Sequence, residues 1–356
     1  MKFKVGLVGI DNPHALAHLR TLALLDEIDE IYLCDGNSST LPKAEVASGG
    51  KFKGIFASTD QLLQNQDIIV VIACLQSHLA AKVIIELLNA GRHVLAEKPL
   101  GLNSLEILSA VEASDRANRC LGVFYTNRYD PVVQETKIFV SQGLLGSLMT
   151  GDIRFLTTQV KFRNRTPNQW IFNRNHSGGG ILTWLGCHYI DLLHYLTGDA
   201  ITSVSAEIGT LSGEAIDVED VASVSMRFKS GAVCSLHMGY TLALSGEGFE
   251  NSGYDIYLGL NGTLGKVVWD YPNRLRAESA SPKWSSAPAQ QRHFSHTESP
   301  AYGGKHGEKF VRDFLAATQG LNPVPASGRD ALVVQRVLDA VYESARVGRR
   351  IDVHGA

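Results

Sequence analysis

Up to residue 124, short apolar runs alternate with stretches of helical apolar spacing. Phe3–Val8, Ile31–Cys34, Asp67–Leu75, His93–Ala96 and Cys120–Phe124 have the composition of strands. The run Asp67–Leu75 is nearly all apolar, as a central parallel strand covered on both faces should be. The spacing predicts helices from about His14 to Leu25, over Leu79–Asn89 with Gly91 as its stop, and over Ser104–Ala117. Strand–helix alternation of this kind predicts an α/β fold with a doubly wound parallel sheet.

The rhythm then changes. A helix from about Pro131 to Gln142 runs to Gly146 and is followed by strand-like stretches. These are Asp152–Val160, Ile201–Leu211, Val221–Phe228, Ala232–Tyr240, Tyr254–Leu260 and Lys266–Asp270. Their β-branched content and partial alternation predict an open, mostly antiparallel sheet. Residues 273–307, rich in Ser, Pro, Gln and His, are expected to form a long loop. Two helices close the chain. The second opens with Ser327 and Asp330 spaced as a capping box and carries Val334, Val337, Leu338 and Val341 on one face.

At 356 residues the chain is too long for one ordinary core. The change of pattern divides it into domains 1–124 and 125–356, with the last helices expected to pack back on the first. A formal net charge of −3 supplies no basic field for nucleic acid or an anionic membrane. The N-terminal MKFKVGLVGI has no apolar segment followed by a small-residue cleavage site. Five cysteines are scattered without a C-x-x-C pair, the pattern of reduced thiols in a cytoplasmic protein. No metal-ligand spacing is evident, and the implied partner is a small molecule.

Three constellations carry the candidate chemistry. The first strand runs into VGLVGIDNPHALAHL, where a dinucleotide loop would read G-x-G-x-x-G. Here Gly9 is followed by Asp11 and His14 in place of the second and third glycines. An Asp11 facing a pyrophosphate would repel it unless it turns away and caps the helix; Asn12 is the other candidate cap, with Pro13 suited to the first helical position. Asp35 ends the second strand, where a carboxylate accepts hydrogen bonds from the adenosine ribose and repels a 2′-phosphate, favouring NAD over NADP; a plain turn aspartate is the alternative. Glu97-Lys98-Pro99 follows the strand His93–Ala96, at the ligand end of such a sheet, where a lysine can donate to a substrate oxygen. Last, Ser177-Gly178-Gly179-Gly180 opens a helix bearing Trp184, His188 and Asp191. The glycines allow close approach to a ligand, and the imidazole suits acid–base work on an alcohol; a histidine of the apolar core is the competing account.

Together these features resemble the Gfo/Idh/MocA oxidoreductases along nearly the whole chain. The resemblance rests on the strand-turn-helix start, EKPL at 97–100, Asn127-Arg128-Tyr129 with Asp130-Pro131, and QGLLGSL at 142–148. It continues through GGG…GCHYID at 178–191, VEDVASVSMRF at 218–228 and the terminal ASGRDALVVQRVLDAVYESARVGRRIDV. It implies an N-terminal Rossmann domain binding NAD through Gly9, Asp11, Asn12, Asp35, Cys74, Gln76, His78, Glu97 and Lys98. It also implies a C-terminal α/β domain whose open sheet pairs subunits into a homodimer or homotetramer. By the same resemblance Lys98 is expected to be the lysine that holds the reacting hydroxyl and His188 the acid–base histidine. Asn127, Arg128, Trp170, Trp184 and Asp191 are expected to join Lys98 and His188 around a sugar, polyol or related cyclic alcohol.

The chain also departs from that family. Trp184 stands four residues before His188, where the family usually has an acidic residue; an indole can stack on a sugar but cannot ionise. Cys74-Leu75-Gln76-Ser77-His78 replaces the family's Thr-Pro-Asn turn. Counting from Asp67 selects His78 as the family histidine, and counting back from Gly91 selects Ala80. Residues 161–176 carry Lys161, Arg163, Arg165 and Arg174 with Trp170 and Phe172, either a receptor for an anionic sugar or solvated loop charges. The leading expectation is an NAD-dependent dehydrogenase or reductase acting on CH–OH groups. The alternatives are a non-catalytic sensor on the same scaffold and an NAD-assisted hydrolase or epimerase.

Overall fold

The computed structural model describes residues 2–35, 38–163, 168–243, 252–284 and 288–355, and they form two compact units. The first comprises Met1–Thr126, Asn175–Gly178 and Thr297–Leu332; the second comprises Asn127–Arg174, Gly179–His296 and Val333–Ala356.

In the first unit the chain runs β1 (Phe3–Val8), α1 (Ala15–Leu24), β2 (Ile28–Cys34), α2 (Leu41–Ser48), β3 (Phe52–Phe56), α3 (Thr59–Gln64), β4 (Ile68–Ala73), α4 (Ser77–Asn89), β5 (His93–Ala96), α5 (Ser104–Ala117) and β6 (Leu121–Val123). The six strands are all parallel in the order β3-β2-β1-β4-β5-β6. This is the doubly wound arrangement, with its switch point between β1 and β4. Val70, Val71 and Ile72 are fully enclosed, each such side chain contributing about 1.5–3 kcal/mol. α5 keeps the predicted limits because both ends are marked. Asn103 accepts from the Leu105 and Glu106 amides, and Asn118 closes the helix at φ 51°.

Three elements of this unit lie outside the apolar pattern. α2 buries only Ala44 and Ser48, α3 only Leu62, and β3 is a half-exposed edge strand. Gly36 and Asn37, which open the turn-rich Gly-Asn-Ser-Ser stretch after Asp35, fall outside the described residues.

The second unit begins with α6 (Pro131–Ser141), capped by Asp130, whose carboxylate accepts from the Val132 amide at 2.8 Å. There follow β7 (Leu148–Thr158), the short α7 (Val160–Arg163), α8 (Arg174–Ser177), whose last three residues belong to the first unit, and α9 (Cys187–Thr197), preceded by a π-helical turn over Leu182–Gly186. Next come β8 (Ile201–Gly209), β9 (Val221–Phe228), β10 (Val233–Leu242), β11 (Tyr254–Gly262), β12 (Gly265–Asp270), β13 (Arg274–Ser279) and β14 (Ala289–His293). α10 (Gly304–Thr318) and the first residues of α11 (Gly328–Val347) belong to the first unit; the rest of α11 and β15 (Ile351–Asp352) complete the second. Nine strands pair in the order β14-β13-β12-β11-β7-β10-β9-β8-β15, antiparallel throughout except between β7 and β10.

The long loop expected over 273–307 is therefore corrected. It holds β13, β14 and the start of α10. In β13 Leu275, Ala277 and Ser279 are buried, a period-two pattern, whereas β14 is almost wholly exposed and is held by its pairing to β13. At α11 the capping box forms: the Ser327 amide donates to Asp330 at 2.6 Å, and the Asp330 amide to Ser327 Oγ at 3.3 Å. Val334, Val337, Leu338 and Val341 are buried.

Candidate active site

In the first unit the candidate residues gather at the carboxyl ends of β1, β2, β4 and β5. Gly9 has φ +84°, and a Cβ there would stand 2.5 Å from the Cys74 carbonyl oxygen. Only glycine suits that conformation and that spacing. The Gly9 amide donates to the Cys34 carbonyl at 3.3 Å, and the Ile10 amide to the Asp35 carboxylate at 3.2 Å. Asp35 is thus fixed against the loop it was expected to serve.

Asp11 does not cap α1. Its carboxylate accepts from Ser38 Oγ at 2.5 Å and Thr40 Oγ1 at 3.1 Å. Asn12 takes the turn instead, with its side-chain oxygen accepting from the His14 amide at 3.0 Å and its Nδ2 donating to the Leu75 carbonyl at 3.3 Å. Pro13 lies in that turn rather than in the first turn of α1, which starts at Ala15.

Cys74 is fully buried, and burial pushes its thiol well up. What it offers the loop is backbone: its amide donates to the Val8 carbonyl at 2.8 Å. Gln76 precedes α4 and is half-buried. The two candidate positions, His78 and Ala80, differ in burial. Ala80 packs into the core, while His78 is half-buried with its ring stacked on His176, centroids 4.6 Å apart. His176 is a neighbour that no periodicity announced, because the four residues of α8 are too few to show one.

Glu97 was expected among the cofactor-binding residues, and its carboxylate lies against a histidine of α1. Its side chain is about 1% exposed and bonds to His18 at 2.6 Å. Lys98 beside it is buried, and the Lys98–Pro99 peptide is cis.

In the second unit Glu219, which the spacing did not single out, organises the helix that bears His188. Its carboxylate accepts from the Gly180 amide at 2.9 Å and the Leu182 amide at 3.0 Å. Tyr342 donates to it at 2.9 Å and lies 2.8 Å from Thr183 Oγ1. Burial raises the Glu219 carboxyl in spite of these donors. The glycines are needed here for the protein's own packing. A Cβ on Gly179 would meet the Tyr342 hydroxyl, and one on Gly180 the Glu219 carbonyl, each at 1.9 Å. The π-helical turn leads directly into α9, whose second residue is His188, 8% exposed. Such turns often stand at functional sites because they re-aim the side chains around them.

Trp184 sits inside that turn, 2% exposed and edge-to-face with buried Trp170 at 5.6 Å. The pair forms part of the core rather than an open stacking platform. Arg128 and Asp191, expected around the substrate, hold each other: Arg128 Nε and Nη2 donate to the two carboxylate oxygens at 2.9 and 2.6 Å. Asn127 is half-buried in the short helical turn Thr126–Tyr129.

The basic segment is largely tied into the fold. Arg163 is buried, donates to Thr157 at 2.9 Å and lies over the Tyr240 ring. Arg174 bonds to Asp217 through its amide and Nε, Lys161 is exposed, and Arg165 lies outside the described residues. Among the described residues no group of three or more His, Cys, Asp or Glu could hold a metal, and no helix is long and apolar enough to cross a membrane.

Comparison with known proteins places these units. Residues 3–125 match the model of an oxidoreductase family with an NAD-binding Rossmann fold, and residues 133–268 match the GFO/IDH/MocA C-terminal domain. The levoglucosan dehydrogenase of Pseudarthrobacter phenanthrenivorans is 26% identical, with 87% of this chain and 86% of that protein covered. D-apiose dehydrogenase of Paraburkholderia graminis is 25% identical, with 99% and 90% covered. The crystal structure of a levoglucosan dehydrogenase with NADH and levoglucosan has the same fold, with TM-score 0.84, 23% identity, and coverage of 99% of this chain and all (100%) of that one.

Proposed function

Because the chain belongs to the Gfo/Idh/MocA family of NAD-binding oxidoreductases, we propose that it transfers a hydride between NAD and a sugar, polyol or related cyclic alcohol. The observation that carries this reading is the convergence of the Gly9 turn, Asp35 and Lys98 at the carboxyl ends of one parallel sheet. The residues present fit a dinucleotide. The Gly9 backbone has no room for a side chain, and the charge of Asp11 is taken up by two hydroxyls. Asp35 would hold the adenosine ribose and disfavour a 2′-phosphate.

When bound, NAD supplies the hydride acceptor at its nicotinamide ring. The chain's own residues manage the alcohol. Lys98 donates to the reacting oxygen and steadies the charge that develops on it. His188 accepts the hydroxyl proton. Lys98 and His188 are each buried, and a charge interaction is stronger away from bulk water.

The relatives named for levoglucosan, apiose and inositol oxidation set the first substrates to screen, with aldoses and sugar acids beside them. The assay follows nicotinamide absorbance with NAD and with NADP. Lys98→Ala should lower kcat by about 10²–10³-fold, the usual loss of one oxyanion donor. A Lys98→Ala enzyme of full activity, or a wild-type protein that does not bind NADH, refutes the reading. Nucleotide that co-purifies and never exchanges would instead favour NAD-assisted hydrolysis or epimerisation. The exposed face of the nine-stranded sheet, with Ser223, Ser225, Arg227, Ser235 and His237 outward, is the surface through which we expect subunits to pair. Light scattering tests this.

A further inference from the structure

His14 occupies the position of the third loop glycine, and His18 follows one helical turn later. Both imidazoles converge on Glu97. His14 Nδ1 lies 3.2 Å from Oε2, and His18 Nε2 lies 2.6 Å from Oε1. The Lys98 amide donates to the same Oε2 at 3.2 Å. The Tyr302 ring covers both imidazoles at 4.8 and 4.3 Å, and Phe124 lies 4.0 Å from His18. Tyr302 is itself anchored, its amide donating to Thr21 Oγ1 at 2.8 Å. The charged and titratable groups around the cluster are Lys98 on the turn, Cys74 at the end of β4, and Tyr302.

A buried carboxylate can only accept, and it is costly unless its oxygens are bonded. Here each oxygen has a partner. The imidazoles hold Glu97 well below the usual carboxylate range against burial, which alone would raise it, and burial pushes His14 down. With Glu97 ionised, the 2.6 Å contact places a proton on His18 Nε2. None of these steps uses His14 or His18 in the chemistry.

We propose that His14 and His18 are positioning residues for Lys98: they fasten Glu97, and through its bond to the Lys98 amide they set the catalytic turn against the loop preceding α1. The role of Lys98 in turnover rests on the proposed dehydrogenase reading; the latch itself does not.

The test uses the full chain and the variants His18→Leu, His18→Gln and Glu97→Gln. Histidine-selective long-range ¹H–¹⁵N spectra of the nucleotide-free protein should show the Nε2–H form at His18. In Glu97→Gln the His14 titration midpoint should fall further, because the carboxylate that favours its charged form is gone. Exchange of the Lys98 amide should accelerate in His18→Leu and stay slow in His18→Gln, which keeps a donor. In turnover, His18→Leu should lose about 10–100-fold in kcat, the range expected for one hydrogen bond to a charged group. Its acid limb should move to higher pH as Glu97 protonates sooner, and His18→Gln should recover both, with NADH affinity by fluorescence little changed.

Equal impairment of the leucine and glutamine variants, an unmoved His14 midpoint in Glu97→Gln, or unchanged Lys98 exchange and kcat in a folded His18→Leu would each overturn the proposal. If wild-type protein neither binds NADH nor turns over any alcohol, the dehydrogenase reading falls. The spectra and the exchange data still decide the latch.

Discussion

Replacing Asp191 with alanine separates a structural carboxylate from a substrate-binding one. In the fold, Asp191 and Arg128 form a two-pronged pair whose side chains are 2% and 8% exposed. Removing the aspartate leaves a guanidinium enclosed with its main counter-charge gone. The cost of breaking such a buried pair from one side is about 3–5 kcal/mol. The Tyr195 ring, 5.1 Å from the guanidinium carbon, is already in contact in the wild type and so offsets none of this loss. Native-state hydrogen exchange across α6 and α9 should show opening increased by about 10²–10³-fold, with a matching fall in the urea midpoint. The double variant Arg128→Met with Asp191→Leu removes both charges and should be more stable than either single change. An Asp191→Ala protein with wild-type exchange and midpoint but no turnover would refute this account and return Asp191 to the substrate.

Three further outcomes follow. Gly180→Ala puts a Cβ 1.9 Å from the Glu219 carbonyl, a backbone atom that cannot swing aside. We expect a loss of about 1–3 kcal/mol or more and a displaced α9, read by urea melts and by kcat. Gly198→Ala meets no atom within 4 Å and has only its φ of +66° to oppose it, so it should cost about 1–2 kcal/mol. His93 is held down to about 4 by burial and then by the Arg119 charge, and its Nδ1 accepts from the Cys120 amide at 3.0 Å. Between its ordinary value of 6.5 and about 4 the unfolded chain binds a proton that the folded chain refuses. This contribution is therefore fully present above pH 6.5 and is lost as pH falls towards 4. Urea melts across that window should slope less in His93→Asn.

The local signals that survived into the structure are those in which short-range chemistry suffices. α5 carries its own stops, Asn103 and Asn118, and its predicted limits coincide with the observed ones. β5 and β9 likewise keep the limits their apolar pattern suggests. Gly9, Asp35 and Lys98 were visible because a loop, a strand end and a strand-end turn each need a particular residue at a particular spacing. α2, α3, β3 and β14 were not, since each buries one or two side chains at most, or none, and is held mainly by its neighbours.

The alternation that makes a parallel sheet, the strand ends where a dinucleotide is served and the family of the chain were all legible along the chain. The partners of the polar candidates emerged only in the folded protein. Arg128 and Asp191 neutralise one another, the Glu97 carboxylate meets two histidines 79 and 83 residues away, and Gly180 leaves room for Glu219. The reason is physical. Spacing along a chain fixes which face of an element a side chain occupies, but a buried charge must find its partner in space. That partner comes from whichever distant segment the fold delivers.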